Sequence, residues 1–244
     1  MPRTALFLIA IGLPVTTHAE QGTAGSAAGK EADPWLVKAT LGYLATSGNT
    51  NSSSLNSSLS VAYASGRWLH SLEASAINSS EENETTAEAY GLGWKSEYNV
   101  TKSDFVFGRV DWRKDRFSGY DQQLSETVGY GRRLIDTAAH VLNVEIGVGA
   151  RQADLTDGTM EDDLITRGGL DYQWTFSETA AFTQTLAVES GADNTWLESV
   201  TALRSMVVGD LALVASYTVK HNTSVPLDSE NTDRFTALSL EYVF

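Results

Sequence analysis

The chain has 244 residues, no cysteine and a formal net charge of -14, with 31 acidic against 17 basic side chains. That balance argues against a nucleic-acid binder, because phosphate contacts need clustered Lys and Arg. The absence of thiols excludes a disulfide framework, a thiolate zinc site and a cysteine nucleophile.

Arg3, an apolar run over 5–15 and the small residues flanking His18 in Thr17-His18-Ala19 make residues 1–19 read as a cleaved secretory signal peptide. The run is too short to span a bilayer as a helix, and Pro14 ends it. Residues 20–33 read as a flexible periplasmic tail rich in Gly, Ala and Ser, and residues 34–244 as one folded domain.

Beyond the leader the hydrophobic pattern has period two, the spacing of a strand rather than a helix. Strands are predicted over 35–45, 54–64, 67–78, 86–98, 104–115, 120–134, 140–151, 162–175, 181–190, 195–207, 211–222 and 232–244. In the seventh, Leu142, Val144, Ile146 and Val148 alternate with Asn143, Glu145, Gly147 and Gly149; in the fifth, Val106, Val110 and Trp112 oppose Arg109, Asp111 and Arg113. Short polar connections such as Ser65-Gly66 and Gly209-Asp210 alternate with longer ones such as 47–53, 152–161 and 222–231. Two assignments fit this parity badly: Glu126 shares a face with Leu124, Val128 and Tyr130, and Phe105 and Phe107 share one with Arg109.

A soluble β-sandwich also alternates, so three further features decide. The strands reach the roughly 9 to 11 residues of a tilted bilayer crossing, longer than an ordinary soluble strand. Aromatic residues gather near strand ends, with Trp35, Trp68, Tyr98, Trp174, Phe182 and Tyr242 on the turn side and Tyr43, Tyr90, Trp112, Tyr120 and Trp196 on the loop side. The last strand places Leu238, Leu240, Tyr242 and Phe244 on one face. The expected fold is therefore all-β, a transmembrane antiparallel up-and-down barrel of about twelve strands in a bacterial outer membrane, with both termini periplasmic.

The opening strand from Trp35, the Gly48-Asn49-Thr50 corner, the segment Trp112-Arg113-Lys114-Asp115-Arg116-Phe117 and the ending Glu241-Tyr242-Val243-Phe244 together resemble the salt-induced outer membrane protein family, a bacterial barrel domain of unknown function. The resemblance implies an envelope location and brings no catalytic residues with it. Expected partners are outer-membrane lipid, lipopolysaccharide and the barrel-assembly machinery, the last through the strand ending at Phe244.

Charged side chains on a barrel strand must line water or pair with one another, because they cannot face lipid cheaply. The predicted lumen-lining set is Lys38, Glu73, Lys95, Arg109, Asp111, Arg113, Arg133, Glu145, Arg151, Arg167, Asp171, Glu198 and Arg204, together with Glu189, Lys220 and Glu241. Both signs occur in similar numbers. Two functions follow, a narrow passive pore for ions or small solutes, or a structural or surface-binding barrel plugged by its own side chains. Enzyme chemistry has one candidate base, His221 beside Asn222, Thr223 and Ser224, and a rim histidine among small polar residues is more often simply solvated. A convergence of Asp193, Glu230 and Asp233 is the other catalytic arrangement considered. The acidic stretches Asp154, Asp157, Glu161, Asp162, Asp163 and Glu81, Glu82, Glu84, Glu88 match no fixed calcium loop and read as hydrated external loops. No cofactor and no metal site is expected.

Overall fold

A computed structural model describes residues 33–46, 52–81, 84–115, 120–156, 158–225 and 231–244. They form twelve strands: β1 (Trp35–Thr46), β2 (Ser52–Ser65), β3 (Trp68–Glu81), β4 (Glu84–Asn99), β5 (Asp104–Asp115), β6 (Tyr120–Asp136), β7 (His140–Leu155), β8 (Met160–Ser177), β9 (Ala180–Ser190), β10 (Thr195–Val208), β11 (Leu211–Asn222) and β12 (Thr232–Val243). Each pairs antiparallel with its neighbours in sequence, and β1 pairs with β12, which closes the sheet into an up-and-down barrel. Closure satisfies backbone groups strand to strand, the condition for placing a sheet in lipid.

Alternation sets which residues face inward. On β11, Ala212, Val214, Ser216 and Thr218 are buried while Leu213, Ala215 and Tyr217 are exposed. On β7 and β8, Ile146, Val148 and Leu164 are exposed between inward Glu145, Arg151 and Arg167. The outer face thus carries an apolar belt, and the polar residues turn toward the axis. At the turn end aromatic side chains pack in pairs: Trp35 on Tyr63 at 4.4 Å, Trp68 on Tyr98 at 4.9 Å and Trp174 on Phe176 at 5.3 Å. Two of the tight turns there place Gly66 and Gly209 at φ of 59° and 53°, a conformation that suits two-residue hairpins and that other residues adopt with strain.

The strands run further than expected at the loop end. Asp154, Glu161, Asp162 and Asp163 belong to the paired ends of β7 and β8, not to an external loop. The cause is internal: Arg151 and Asp163 lie opposite each other on the inner face and pair at 2.8 Å, so the ladder continues past the expected turn. Glu81, Glu84 and Glu88 likewise lie on β3 and β4. The Gly48-Asn49-Thr50 corner, Glu82, Arg116, Phe117, Asp157, Glu230 and residues 1–32 with the expected leader and most of the tail lie outside the described residues.

The two parity misfits resolve differently. Phe105 and Phe107 face inward, and their rings lie over glycines of β6 and β7, so that a Cβ at Gly129 would sit 2.6 Å from Phe107 Cζ and one at Gly131 would overlap the Phe105 ring. Lys95 Nζ then lies 5.4 Å and 5.2 Å from the two ring centroids, and Arg133 lies 4.8 Å from that of Phe105. Glu126 has no such explanation: it is exposed on the outer face opposite Val110 and Ala150, with no bulge at its position.

Because the Phe105 ring occupies the space of the missing side chain, Gly131→Val is expected to cost about 1–3 kcal/mol through overpacking. Urea unfolding from lipid vesicles measures it, and Phe105→Leu in the same chain should recover part of the loss. Unchanged stability in Gly131→Val would contradict the ring placement.

Candidate functional site in the barrel lumen

The inner face carries ionised side chains at three levels. Near the turn end, Arg204 Nε donates to Glu241 at 2.6 Å, with Lys38 within electrostatic reach of both. On the neighbouring wall at this end, Arg133 approaches Glu97 at 3.5 Å. At mid-height Lys95 bridges Glu145 and Glu97, the latter at 2.8 Å. Arg109 holds Asp111 through Nε at 2.5 Å and Nη2 at 2.8 Å, and Glu73 and Asp171 act on the same cations through space. Toward the loop end Arg113 donates from both terminal nitrogens to Glu189 at 3.1 Å, and Arg167 binds the same carboxylate. Glu198 and Lys220 stand 4.0 Å apart on adjacent strands.

Two of these pairs cross the barrel. Lys95 and Glu145 lie on β4 and β7, and Arg113 and Glu189 on β5 and β9, so neither pair is a ladder neighbour. Glu189 is 0 % exposed and has two guanidinium partners, which is the compensation a buried carboxylate requires. Trp196 stacks on the Arg113 guanidinium at 3.9 Å and fixes its plane.

The loop-end mouth is crossed by a polar plate. Tyr120 on β6 donates to the Ser224 carbonyl at 3.2 Å, five strands around the wall beyond the end of β11. Ser224 N–H and Thr223 Oγ1 donate to Asn194 Oδ1 at 3.1 and 3.3 Å, Asn194 Nδ2 donates to Asn222 Oδ1 at 2.8 Å, and Arg151 Nη2 donates to the Asn194 carbonyl at 2.9 Å. Tyr120 is 3 % and Trp196 6 % exposed, so neither belongs to the outer girdle to which their places near strand ends had assigned them. A register shift between Tyr120 and Gln122 turns Tyr120 inward, and Trp196 shares the inner parity of Glu198 and Val200.

Between the two ends runs a cavity of about 230 Å³, bounded by Glu97 and Arg133 at the turn side and by Tyr120, Trp196 and Asn222 at the loop side. That volume holds several waters or one small polar solute. Ser60 Oγ, Gln123 Oε1, Asn143 Oδ1 and Arg167 Nε belong to residues lining it and have no protein hydrogen-bond partner. The lumen therefore offers both donors and acceptors to whatever enters.

Each of the three described histidines meets a hydroxyl. His221 lies at the loop end with its Nδ1 2.8 Å from Thr232 Oγ1, His70 meets Ser96 and His140 meets Tyr172. Asp193 is exposed while Asp233 lines the cavity. No group of acidic or histidine residues suited to a metal ion occurs among the described residues.

A family model described as "Protein of unknown function, DUF481" matches residues 39–244. The chain belongs to that family. It is 36 % identical over 202 residues to the uncharacterized protein YdiY of Escherichia coli strain K12, covering 82 % of this chain and 80 % of that one. The NanC porin superposes with a TM-score of 0.50 at 11 % identity, covering 86 % of this chain and 97 % of that one. An outer membrane channel of Pseudomonas putida F1 gives 0.50 at 9 % identity, covering 88 % and 96 %. These two likenesses concern the fold, a closed outer-membrane barrel.

Sequence reasoning overlooked Glu97, Asp163, Asn194 and the inward pair Tyr120 and Trp196. Asp163 was grouped with the acidic loop stretch although the predicted strand 162–175 contains it, and Asn194 lay in a connection with no pattern to read. Because Glu189 balances two arginines, Glu189→Gln should destabilise the barrel by about 3 kcal/mol, as breaking a buried pair from one side does. Urea unfolding measures this, and a loss below about 0.5 kcal/mol, typical of surface positions, would mean the clasp is not formed.

Proposed function

We propose that this family member is a non-enzymatic outer-membrane barrel acting as a narrow passive pore for ions or small polar solutes. The observation that carries the reading is the cavity between the Glu97 and Arg133 end and the Tyr120 end of the lumen, which ionised side chains of both signs line. A lumen lined by fixed charges of both signs admits water and excludes apolar solutes, and the charges nearest the constriction set ion preference. An envelope location, insertion through the barrel-assembly machinery at the strand ending in Phe244, and contact with lipopolysaccharide on the outer face accompany this reading. A connection with salt or osmotic conditions rests on the sequence resemblance alone.

The competing reading, a structural barrel plugged by its side chains, draws on the Lys95–Glu145 and Arg113–Glu189 bridges that cross the lumen. Planar bilayers separate the two. The pore reading predicts small, stable current steps, which Arg113→Ala enlarges and shifts toward cations because it removes a fixed positive charge from the lumen-crossing bridge to Glu189. Silence from a fully folded protein would favour the plug. Orientation has its own check: Thr156→Cys should react with an impermeant maleimide in whole cells and Ala138→Cys should not, while equal labelling would overturn the topology.

A further inference from the structure

Asp171 is an inward carboxylate of β8 that the ion pairs of the lumen do not use. At its level Lys95 already bridges Glu145 and Glu97, and Arg109 already holds Asp111 through two nitrogens. Asp171 meets Lys95 and Arg109 only through space, and the nearby Glu73 and Glu145 oppose its charge. Among the described residues no hydrogen bond or ion pair holds its carboxylate, and it lines the cavity.

Its ladder neighbours are polar on both sides. Asn143 on β7 and Thr185 on β9 lie opposite Asp171 and line the same cavity, and Asn143 Oδ1 has no hydrogen-bond partner. Six strands around the wall, and so across the lumen, Ser60 on β2 lies opposite Glu73 on β3. Ser60 is 9 % exposed, lines the cavity and carries an unpartnered Oγ. Orphan acceptors beside a carboxylate that no protein cation contacts suit a guest that is positively charged and also donates hydrogen bonds. An ammonium group brings one charge and three N–H donors, which matches one carboxylate flanked by an amide oxygen and a hydroxyl. Calcium, by contrast, asks for about six to eight oxygen ligands. The cavity of about 230 Å³ leaves room for a short carbon chain behind the ammonium.

We propose that Asp171, Asn143 and Thr185 form a mid-lumen site for the primary ammonium group of a small organic cation. The inference rests on the pore reading and deepens it by naming the class of solute: Asp171 supplies the charge, and its two neighbours select for N–H donors over a cation that has none.

The test measures binding of radiolabelled butylammonium to the whole barrel, folded in detergent micelles, by equilibrium dialysis. Saturable binding at a single site per chain is expected. Butyltrimethylammonium keeps the charge and lacks N–H donors, and it should bind about tenfold or more weakly. Asp171→Asn should lower butylammonium affinity by a similar factor, and Asp171→Glu should restore part of it. Glu178→Gln, which removes a carboxylate from the exposed turn between β8 and β9, should change nothing. Equal binding of the two cations, full binding in Asp171→Asn, or no saturable binding at all would each overturn the site. The comparison of the two cations uses the unaltered chain, so it decides the matter even where a variant fails to fold. Saturable, Asp171-dependent binding in a barrel that is silent in planar bilayers would remove the pore reading and leave the site. Conduction without such binding would remove the site alone.

Discussion

An ionised side chain at bilayer depth has two places to go, and lipid is not one of them. Placing an arginine at the midplane on the outer face of a barrel costs about 2 to 4 kcal/mol, and this chain would have to meet that cost many times over. Period-two geometry turns the constraint into architecture: once Glu145 points inward, Val144 and Ile146 must point out, and each neighbouring strand inherits the register. The apolar belt and the charged lumen are thus one decision seen from two sides.

Inward charges then need partners, and the barrel supplies them at three ranges. Arg109 and Asp111 sit two residues apart on one strand, Arg151 and Asp163 face each other across a ladder, and Arg113 reaches Glu189 across the lumen. The third range is the one that shapes function, because a lumen-crossing pair braces the wall and narrows the path together. Phe105 and Phe107 add a different brace, filling glycine hollows on β6 and β7 and giving Lys95 and Arg133 aromatic faces to lie over. The same wall is therefore rigid and charged.

The fold was legible because its signal is local. Alternation and turn chemistry placed all twelve strands, and the departures fall where an unseen partner extended a ladder, as Arg151 does for Asp163. The lumen partnerships were not legible, since which inward charge meets which depends on strands distant in sequence. Tyr120 and Trp196 illustrate the limit on aromatic residues: near a strand end an aromatic ring reads as girdle, but a one-residue register shift or inner parity turns it into a lid on the cavity. Glu126 shows the converse, a carboxylate on the outer face for which the structure offers no partner-based account.

Lumen charges on non-adjacent strands, if they form one network, are energetically joined. A double-mutant cycle on Arg113→Leu and Glu189→Leu, followed by urea unfolding from lipid vesicles, tests it most directly, because these residues are 76 positions apart in sequence and share no ladder. A coupling free energy of about 1 to 3 kcal/mol is expected, the range for residues in one ion-pair network. Additivity within about 0.3 to 0.5 kcal/mol, the behaviour of independent sites, would contradict it.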